Sequence, residues 1–556
     1  MLSQFVCWLY SHGLGDSQNA WYALQFGTVC ALALGVAWLD SRKEDSGFEI
    51  RTAAALYLFC ALAIFVCWLP NIARYHMDPD EEQWIAQANN FVADPVFWFK
   101  YFLAINSSRE LTILPMAVGS ALCGGALGYE GARIITILLW AAFCVLIYGI
   151  VTVACGRQSG LWTSCSIAVL VGFFSSVSYV AYNSELPVIV LCAAATYCFA
   201  SAYSTGSSRW YIAAGLFVAL VPFAKDQGIP IAAAMQLVFI AFCLVQGRKA
   251  AVGWIVGGNM LGLLAFLALF VATGSLGELL DLKRTSAEYA QIGFAGQEPR
   301  WLRGTLYLRA MLVRDELRPL FLGALAITPL LLWNYVRCRG IWSPLQSMLL
   351  WCGVAVMGAA LFAVWYPGNG FHHYALLLVF PASLLLGSAL HLVFRESRRN
   401  SWVVAFVFLL VCLLGLYRKD GSEGVRDLAR NCANDRLSAM SEKMLQLTAP
   451  GDRLMVWGWW PAFFVETGLL QGSRWMYPFF AVSAYGSSAS NVRRYMEDLQ
   501  TLRPKVIVEW VGEDAIHFKD PAVFGLQAVP EINNYVMANY ELVETNGNQK
   551  LFVRKE

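Results

Sequence analysis

The sequence predicts a polytopic α-helical membrane protein of about twelve spans, followed by a C-terminal extracytoplasmic α/β domain. Composition, a succession of long apolar runs, and a collapse of hydropathy after Tyr417 lead to this class. Of 556 residues, 58% are hydrophobic and only 14% charged, and mean hydropathy is +0.52; soluble domains carry about 25% charged residues. The net charge of +2 is spread over loops of both signs and gives no argument for nucleic-acid binding. Most of the fifteen cysteines, among them Cys60, Cys144, Cys192 and Cys352, lie inside apolar runs without paired spacing or His neighbours. They read as small core residues. The first residues lack a basic region and a small-residue cleavage site, so no cleavable signal peptide is expected.

Apolar spans fall near 21–39, 53–70, 132–154, 161–181, 187–203, 210–224, 229–246, 251–272, 319–336, 345–365, 374–394 and 401–417. The shorter stretch 111–127 contains Pro115 and the pair Gly124-Gly125, which suits an interfacial or re-entrant helix better than a crossing. With it left out, Arg42, Lys43, Arg51, Arg157, Arg209, Arg248, Lys249, Arg337, Arg339, Arg395, Arg398 and Arg399 share one side, the cytoplasmic one by the positive-inside rule. Residues 273–318 then face outward, although they hold Lys283, Arg284, Arg300, Arg303, Arg309, Arg314 and Arg318 among nearly as many acids. A loop of this length is weakly bound by the rule. Its basic residues beside Tyr289, Trp301 and Tyr307 suit an anionic headgroup, and they equally suit a plain surface helix.

The domains expected are a membrane module, 1–417, with an acidic first outward loop at 71–110, and a soluble domain, 418–556. In the latter, Leu454-Met455-Val456-Trp457 and residues 506–511 read as buried strands, 491–502 as a helix, and 541–554 as a hairpin around Asn546-Gly547-Asn548. About 140 residues suffice for a separate core.

Chemistry concentrates at the outward ends of the spans. Asp78-Pro79-Asp80-Glu81-Glu82 follows a span directly, and carboxylates beside a bilayer are costly unless used. The plain alternative is a solvated acidic loop. Further polar residues on the same side are Arg109 and Glu110; Asn183, Ser184 and Glu185; Lys225 and Asp226; and His372, His373 and Tyr374. Singly, a Lys or His at a span end snorkels or anchors. Together they outline an outward cavity with carboxylates to activate a nucleophile and Lys and His donors for a phosphate.

The order of these motifs resembles the GT-C superfamily of integral-membrane glycosyltransferases, among them protein O-mannosyltransferases, lipid A aminoarabinose transferases and Rgt-type lipopolysaccharide transferases. The shared features are a span, an acidic motif, an amphipathic segment, a re-entrant helix, and Tyr129-Glu130-Gly131-Ala132-Arg133 opening a span. Phe223-Ala224-Lys225-Asp226-Gln227-Gly228, Phe371-His372-His373-Tyr374 followed by Pro381, and Asp452-Arg453-Leu454-Met455-Val456-Trp457-Gly458 continue the series. The resemblance implies a polyprenyl-phosphate-linked sugar donor and a glycan, lipid or protein acceptor, met on the periplasmic side of a bacterial inner membrane. It places the family's Asp-Glu motif on Asp80-Glu81, with Asp80 as catalytic base, and a second acid on Glu110, here without the Lys-Pro-Pro that follows it in the aminoarabinose transferases. Glu185 takes a later acidic position. The first crossing, 21–39, is additional to the common module.

The chemistry implied is deprotonation of a hydroxyl or amine by Asp80 and in-line displacement that inverts the anomeric carbon. Asp78, Glu185, Lys225, Arg300, Arg303, His372, His373 and Tyr374 would bind substrate or departing phosphate. No cofactor is assigned; Asp78 and Asp80 could hold a divalent metal through oxygen ligands, and basic side chains alone could equally neutralise a lipid monophosphate. A transporter using the same carboxylates with Lys225 is the rival reading, although no inverted repeat stands out. A lipid-linked polysaccharide polymerase or ligase is another.

Overall fold

The computed structural model describes residues 2–9, 18–41, 49–72, 74, 78–95, 110–277, 280, 299–368, 370–396, 437–478, 482 and 489–556. The expected span 401–417, the charges Arg42, Lys43, Arg398 and Arg399, and loop residues Lys283, Arg284 and Tyr289 lie outside these.

The chain begins with α1 (Leu2–Leu9), α2 (Gln18–Ser41), α3 (Ile50–Ile72), α4 (Pro79–Ala93), α5 (Glu110–Leu122), α6 (Tyr129–Cys155) and α7 (Arg157–Gly172). Next come α8 (Val177–Val180), α9 (Glu185–Thr205), α10 (Ser208–Leu220), α11 (Gly228–Val245), α12 (Lys249–Ala272), α13 (Arg300–Arg314), α14 (Arg318–Arg337) and α15 (Pro344–Trp365). A 3-10 helix, His372–Leu378, leads into α16 (Val379–Glu396). The C-terminal region contains α17 (Ala439–Leu447), β1 (Arg453–Trp457), α18 (Ala462–Thr467), β2 (Leu470–Gln471), α19 (Ala489–Leu502), β3 (Val506–Trp510), α20 (Pro521–Phe524), α21 (Pro530–Asn539), β4 (Tyr540–Asn546) and β5 (Gln549–Arg554).

Among the described residues nine helical segments are long and apolar enough to cross a bilayer: α2, α3, α6, α9, α11, α12, α14, α15 and the run His372–Arg395. Two expected crossings are shorter. The stretch near 161–181 forms α7, which has 16 residues and stops at Gly172. The stretch near 210–224 forms α10, 13 residues long, and then tightens into a 3-10 turn at Val221–Phe223, where Pro222 lacks the amide that would continue an α-helix. The candidate re-entrant stretch forms α5, 13 residues, ended by Gly124 and Gly125 at φ 70° and 90°.

The chain divides into two compact units, the first made of Met1–Ala73, Arg133–Phe266 and Gly296–Cys432, the second of Arg74–Ala132, Leu267–Ala295 and Ala433–Glu556. In the first unit α2 and α3 pack on α7, α9 on α10, α11 on α15, and α14 and α15 on α16. Buried arginines close helix ends: Arg133 Nη1 donates to the carbonyls of Asn71 (2.8 Å) and Ile72 (3.0 Å), and Arg157 Nη2 to that of Leu39 (2.9 Å). These are the orphan carbonyls of α3 and α2. Helices α10 and α12 cross backbone to backbone, since a Cβ at Gly215 would come within 2.0 Å of the Ile255 carbonyl and one at Gly258 within 2.0 Å of the Ile212 carbonyl.

The second unit is built on a five-stranded sheet in the order β2-β1-β3-β5-β4. β1 runs parallel to β2 and β3, and β5 antiparallel to β3 and β4. Val506, Ile507 and Val508 are all fully buried, the pattern of a central strand covered on both faces. The β4–β5 turn uses Gly547 at φ 56°, a left-handed conformation that glycine adopts cheaply. Helix α4 belongs to this unit: it packs on α5, α18 and β2, and Ala86 is part of the core formed by Leu454, Val456, Phe463, Ile507 and Phe552.

Candidate functional site

The acidic motif forms the start of α4. Asp78 is its N-cap, with Oδ1 accepting the Asp80 amide at 2.9 Å, and Pro79 takes the position where a missing amide costs nothing. Asp80, Glu81 and Glu82 fill the first turn, where the positive end of the helix dipole favours carboxylates. Burial, with Asp80 beside it, pushes the Asp78 carboxyl well above the usual carboxylate range. Asp80 is partly exposed, whereas Glu81 and Glu82 are buried, and Glu82 Oε1 accepts the Tyr129 hydroxyl at 3.0 Å. Asn89 fixes the far half of the helix: its Oδ1 accepts the Ser120 hydroxyl (2.7 Å) and the Leu127 amide (2.9 Å), and its amide donates to the Leu127 carbonyl (3.0 Å). Glu110 is buried in the first turn of α5. Arg109 lies outside the described residues.

In the first unit four of the expected residues meet. Glu185 is in the first turn of α9, Lys225 in the turn before α11, and His373 and Tyr374 in the 3-10 helix. Lys225 Nζ is 2.5 Å from Glu185 Oε1 and donates to Ser184 Oγ at 2.8 Å, with the Tyr374 ring centroid 4.7 Å away. His373 Nε2 is 3.9 Å from the same Glu185 oxygen. All are buried. The Lys225 charge therefore has an internal counter-ion.

His372 points elsewhere, 54% exposed, with Nδ1 3.1 Å from Asp315 Oδ2. The Tyr307 hydroxyl donates to the Phe371 carbonyl at 2.7 Å. Arg300 and Arg303 occupy the first turn of α13, and the Arg300 guanidinium lies over Tyr366, 4.6 Å from its centroid. At the α13–α14 junction Glu316 accepts the amides of Ser175 (3.0 Å) and Ser176 (3.0 Å) and the Ser175 hydroxyl. The second half of α13 borders an apolar cavity of about 400 Å³, lined by Leu308, Met311 and Leu312 with Phe321, Leu325 and Thr328 of α14 and Val354, Met357 and Leu361 of α15.

Sequence reading missed Asp315, Glu316 and Asn89, and named Ser184 only as a polar neighbour of Glu185. Asp315 and Glu316 were counted only among the acids of a mixed-charge loop, and their short-range signal is the Asp-Glu pair between two helical patterns. No group of three or more His, Cys, Asp or Glu suited to a metal ion occurs among the described residues.

Residues 115–272, from α5 to the end of α12, match the family described as dolichyl-phosphate-mannose-protein mannosyltransferase. No curated protein matches the chain significantly. Among solved structures, ArnT from Cupriavidus metallidurans bound to undecaprenyl phosphate superposes with a TM-score of 0.55 at 14% identity, covering 91% of this chain and 98% of that one. The Archaeoglobus fulgidus oligosaccharyltransferase tethered with an acceptor peptide gives 0.47 at 12% identity, covering 92% and 74%. The GT-C resemblance drawn from motif order is met in the fold. In fold this chain is similar to that ArnT structure, and residues 115–272 are similar to the dolichyl-phosphate-mannose-protein mannosyltransferase family.

Proposed function

We propose that this chain is a membrane glycosyltransferase that moves a sugar from a polyprenyl-phosphate donor to an envelope acceptor: a lipopolysaccharide or other lipid, a polysaccharide, or a protein. In this reading it acts in a bacterial inner membrane, at the periplasmic face. The observation that carries the reading is the acidic first turn of α4, Asp80-Glu81-Glu82, on a GT-C fold. Two further facts support a lipid-linked donor: the structural neighbour ArnT is bound to undecaprenyl phosphate, and the apolar cavity beside α13 is lined by side chains suited to a polyprenyl chain.

Asp80 would take the proton of the acceptor hydroxyl or amine as its oxygen or nitrogen attacks the anomeric carbon. The bond from that carbon to the phosphate oxygen breaks, its electron pair leaves with the polyprenyl phosphate, and in-line attack inverts the carbon. Within the first unit, His372, Arg300 and Arg303 are the cations with which a donor phosphate would pair. Glu81 and Glu110 are further acids of the same unit. A divalent ion at Asp78 and Asp80 would be an addition, and no step is routed through it.

The test is transfer from labelled polyprenyl-phosphate sugars in membranes carrying wild-type protein or Asp80→Asn. The variant should lose transfer while keeping expression and undecaprenyl-phosphate binding. Near wild-type transfer by Asp80→Asn removes it as the base, and a wild-type protein that consumes no donor across a broad panel returns the question to a transporter.

A further inference from the structure

Two adjacent histidines are sent into opposite surroundings. His373 is 8% exposed, stacked on Phe371 with centroids 5.5 Å apart and planes 8° from parallel, and turned toward Glu185. His372 is 54% exposed, and the atom that anchors it, Asp315 Oδ2, belongs to a side chain only 1% exposed. That carboxylate is held from two further directions. The Tyr179 hydroxyl reaches both oxygens at 2.6 Å, and the Leu317 amide donates to Oδ1 at 2.8 Å.

A carboxylate with these bonds has little freedom to rotate, so it dictates the imidazole facing it. An ionised carboxylate only accepts, which assigns the proton on that side to Nδ1 and leaves Nε2 on the ring's other edge. The loop is steadied as well: Tyr307 bonds the Phe371 carbonyl at 2.7 Å, and its ring lies edge-on to His372 with centroids 6.1 Å apart. A buried acid that orients an exposed histidine through one nitrogen presents the other nitrogen to a ligand.

We propose that Asp315 is a positioning residue: it holds His372 so that Nε2 meets the phosphate of the polyprenyl-phosphate donor, and supplies the counter-charge that an imidazolium there requires. This rests on the transferase reading and adds to it a residue that contacts no substrate. It also separates two cationic groups, since Lys225 already has Glu185 as its partner, whereas His372 is turned outward.

The experiment measures binding of undecaprenyl phosphate to the full chain in nanodiscs, with inorganic phosphate as competitor, for wild type, Asp315→Asn, His372→Gln and the double variant. Asp315→Asn keeps an oxygen for the Tyr179 and Leu317 donors and loses the charge. Each single change should weaken lipid binding about tenfold, as loss of one charge-assisted hydrogen bond implies, and the double variant should be no weaker than the singles. A merely structural Asp315 would lower the melting temperature and leave the affinity of the folded fraction unchanged. Wild-type affinity in Asp315→Asn, or losses that multiply in the double variant, overturn the proposal. If Asp315→Asn does not fold, His372→Gln at its exposed position decides: unchanged affinity overturns it. Inorganic phosphate competing as well as the lipid would assign the site to free phosphate and overturn it too. If the wild type neither binds undecaprenyl phosphate nor consumes a lipid-linked sugar, the transferase reading itself has failed; binding that is intact but indifferent to Asp315 leaves that reading standing.

Discussion

Lys225 Nζ and Glu185 Oε1 lie 2.5 Å apart with side chains 3% and 0% exposed, so neither charge can be altered without stranding the other. Removing one member of a buried pair costs about 3–5 kcal/mol, mostly the penalty of the charge left behind. Lys225→Met should therefore destabilise the protein strongly even though the aliphatic stem survives. The double variant Lys225→Met/Glu185→Gln should recover most of that loss. Melting temperatures in detergent for the two singles and the double check this, and additive losses would show that the pair is not coupled. Activity of Lys225→Met alone cannot be read as phosphate binding until this cycle is known.

Asp78 makes a second prediction, in pH. Its folded carboxyl titrates above the ordinary carboxylate value because of burial and the adjacent Asp80. The folded state then holds a proton that the unfolded chain releases; the stability from it is complete below the unfolded pKa of about 4 and is lost as pH rises through the raised value. Asparagine caps a helix as well as aspartate and carries no charge. Asp78→Asn should melt higher than wild type near neutral pH, with the difference closing toward pH 4. A lower melting temperature for the variant at neutral pH would mean that a cation compensates Asp78, and a fall in wild-type stability on adding a chelator would identify that cation as a divalent metal.

The chain made its layers legible through periodicity. Apolar runs located the long spans, and strands 454–457 and 506–510 stood out because a strand buried on both faces is nearly continuously apolar, here broken only by Glu509. The end of α7 at Gly172 was not legible, since Phe173 and Phe174 continue the apolar run before Ser175 and Ser176 turn to bond Glu316. Motif order brought forward Glu185, Lys225, His373 and Tyr374, which do meet. Asp315 stayed hidden because its partner His372 is 57 residues away, and no local pattern encodes a contact of that span.

Helix α10 meets α12 through Gly215 and Gly258, each facing the other's backbone with room for no Cβ. Close contact of this kind depends on small residues. Gly215→Ala or Gly258→Ala has to push a carbonyl aside, not a flexible side chain, and overpacking costs about 1–3 kcal/mol. Both variants should melt lower than wild type. Gly253→Ala on the same helix is the control, because nothing lies within 4 Å of its Cβ position. It should be neutral or slightly stabilising.

The last prediction concerns what holds the acidic helix. β2 is the edge of the sheet, and its Gln471 amide donates at 2.7 Å to Asn90 Oδ1 of α4. The Asn90 amide group returns to the Ala86 carbonyl at 2.8 Å, so one side chain ties the helix carrying Asp80 to the sheet. Nearby, Arg453 Nη2 and Asp94 Oδ2 pair at 2.6 Å, but these side chains are 17% and 32% exposed. Their attraction is worth less than about 1 kcal/mol in water-screened surroundings, whereas a buried amide left without an acceptor costs about 1–3 kcal/mol. Asn90→Ala should therefore speed hydrogen exchange along α4 and β2 more than Arg453→Met does. If Asp80 works as the base, Asn90→Ala should also slow transfer with Asp80 and Glu81 intact. Equal exchange rates in the two variants would show that the Asn90 bond does not hold the helix to the sheet.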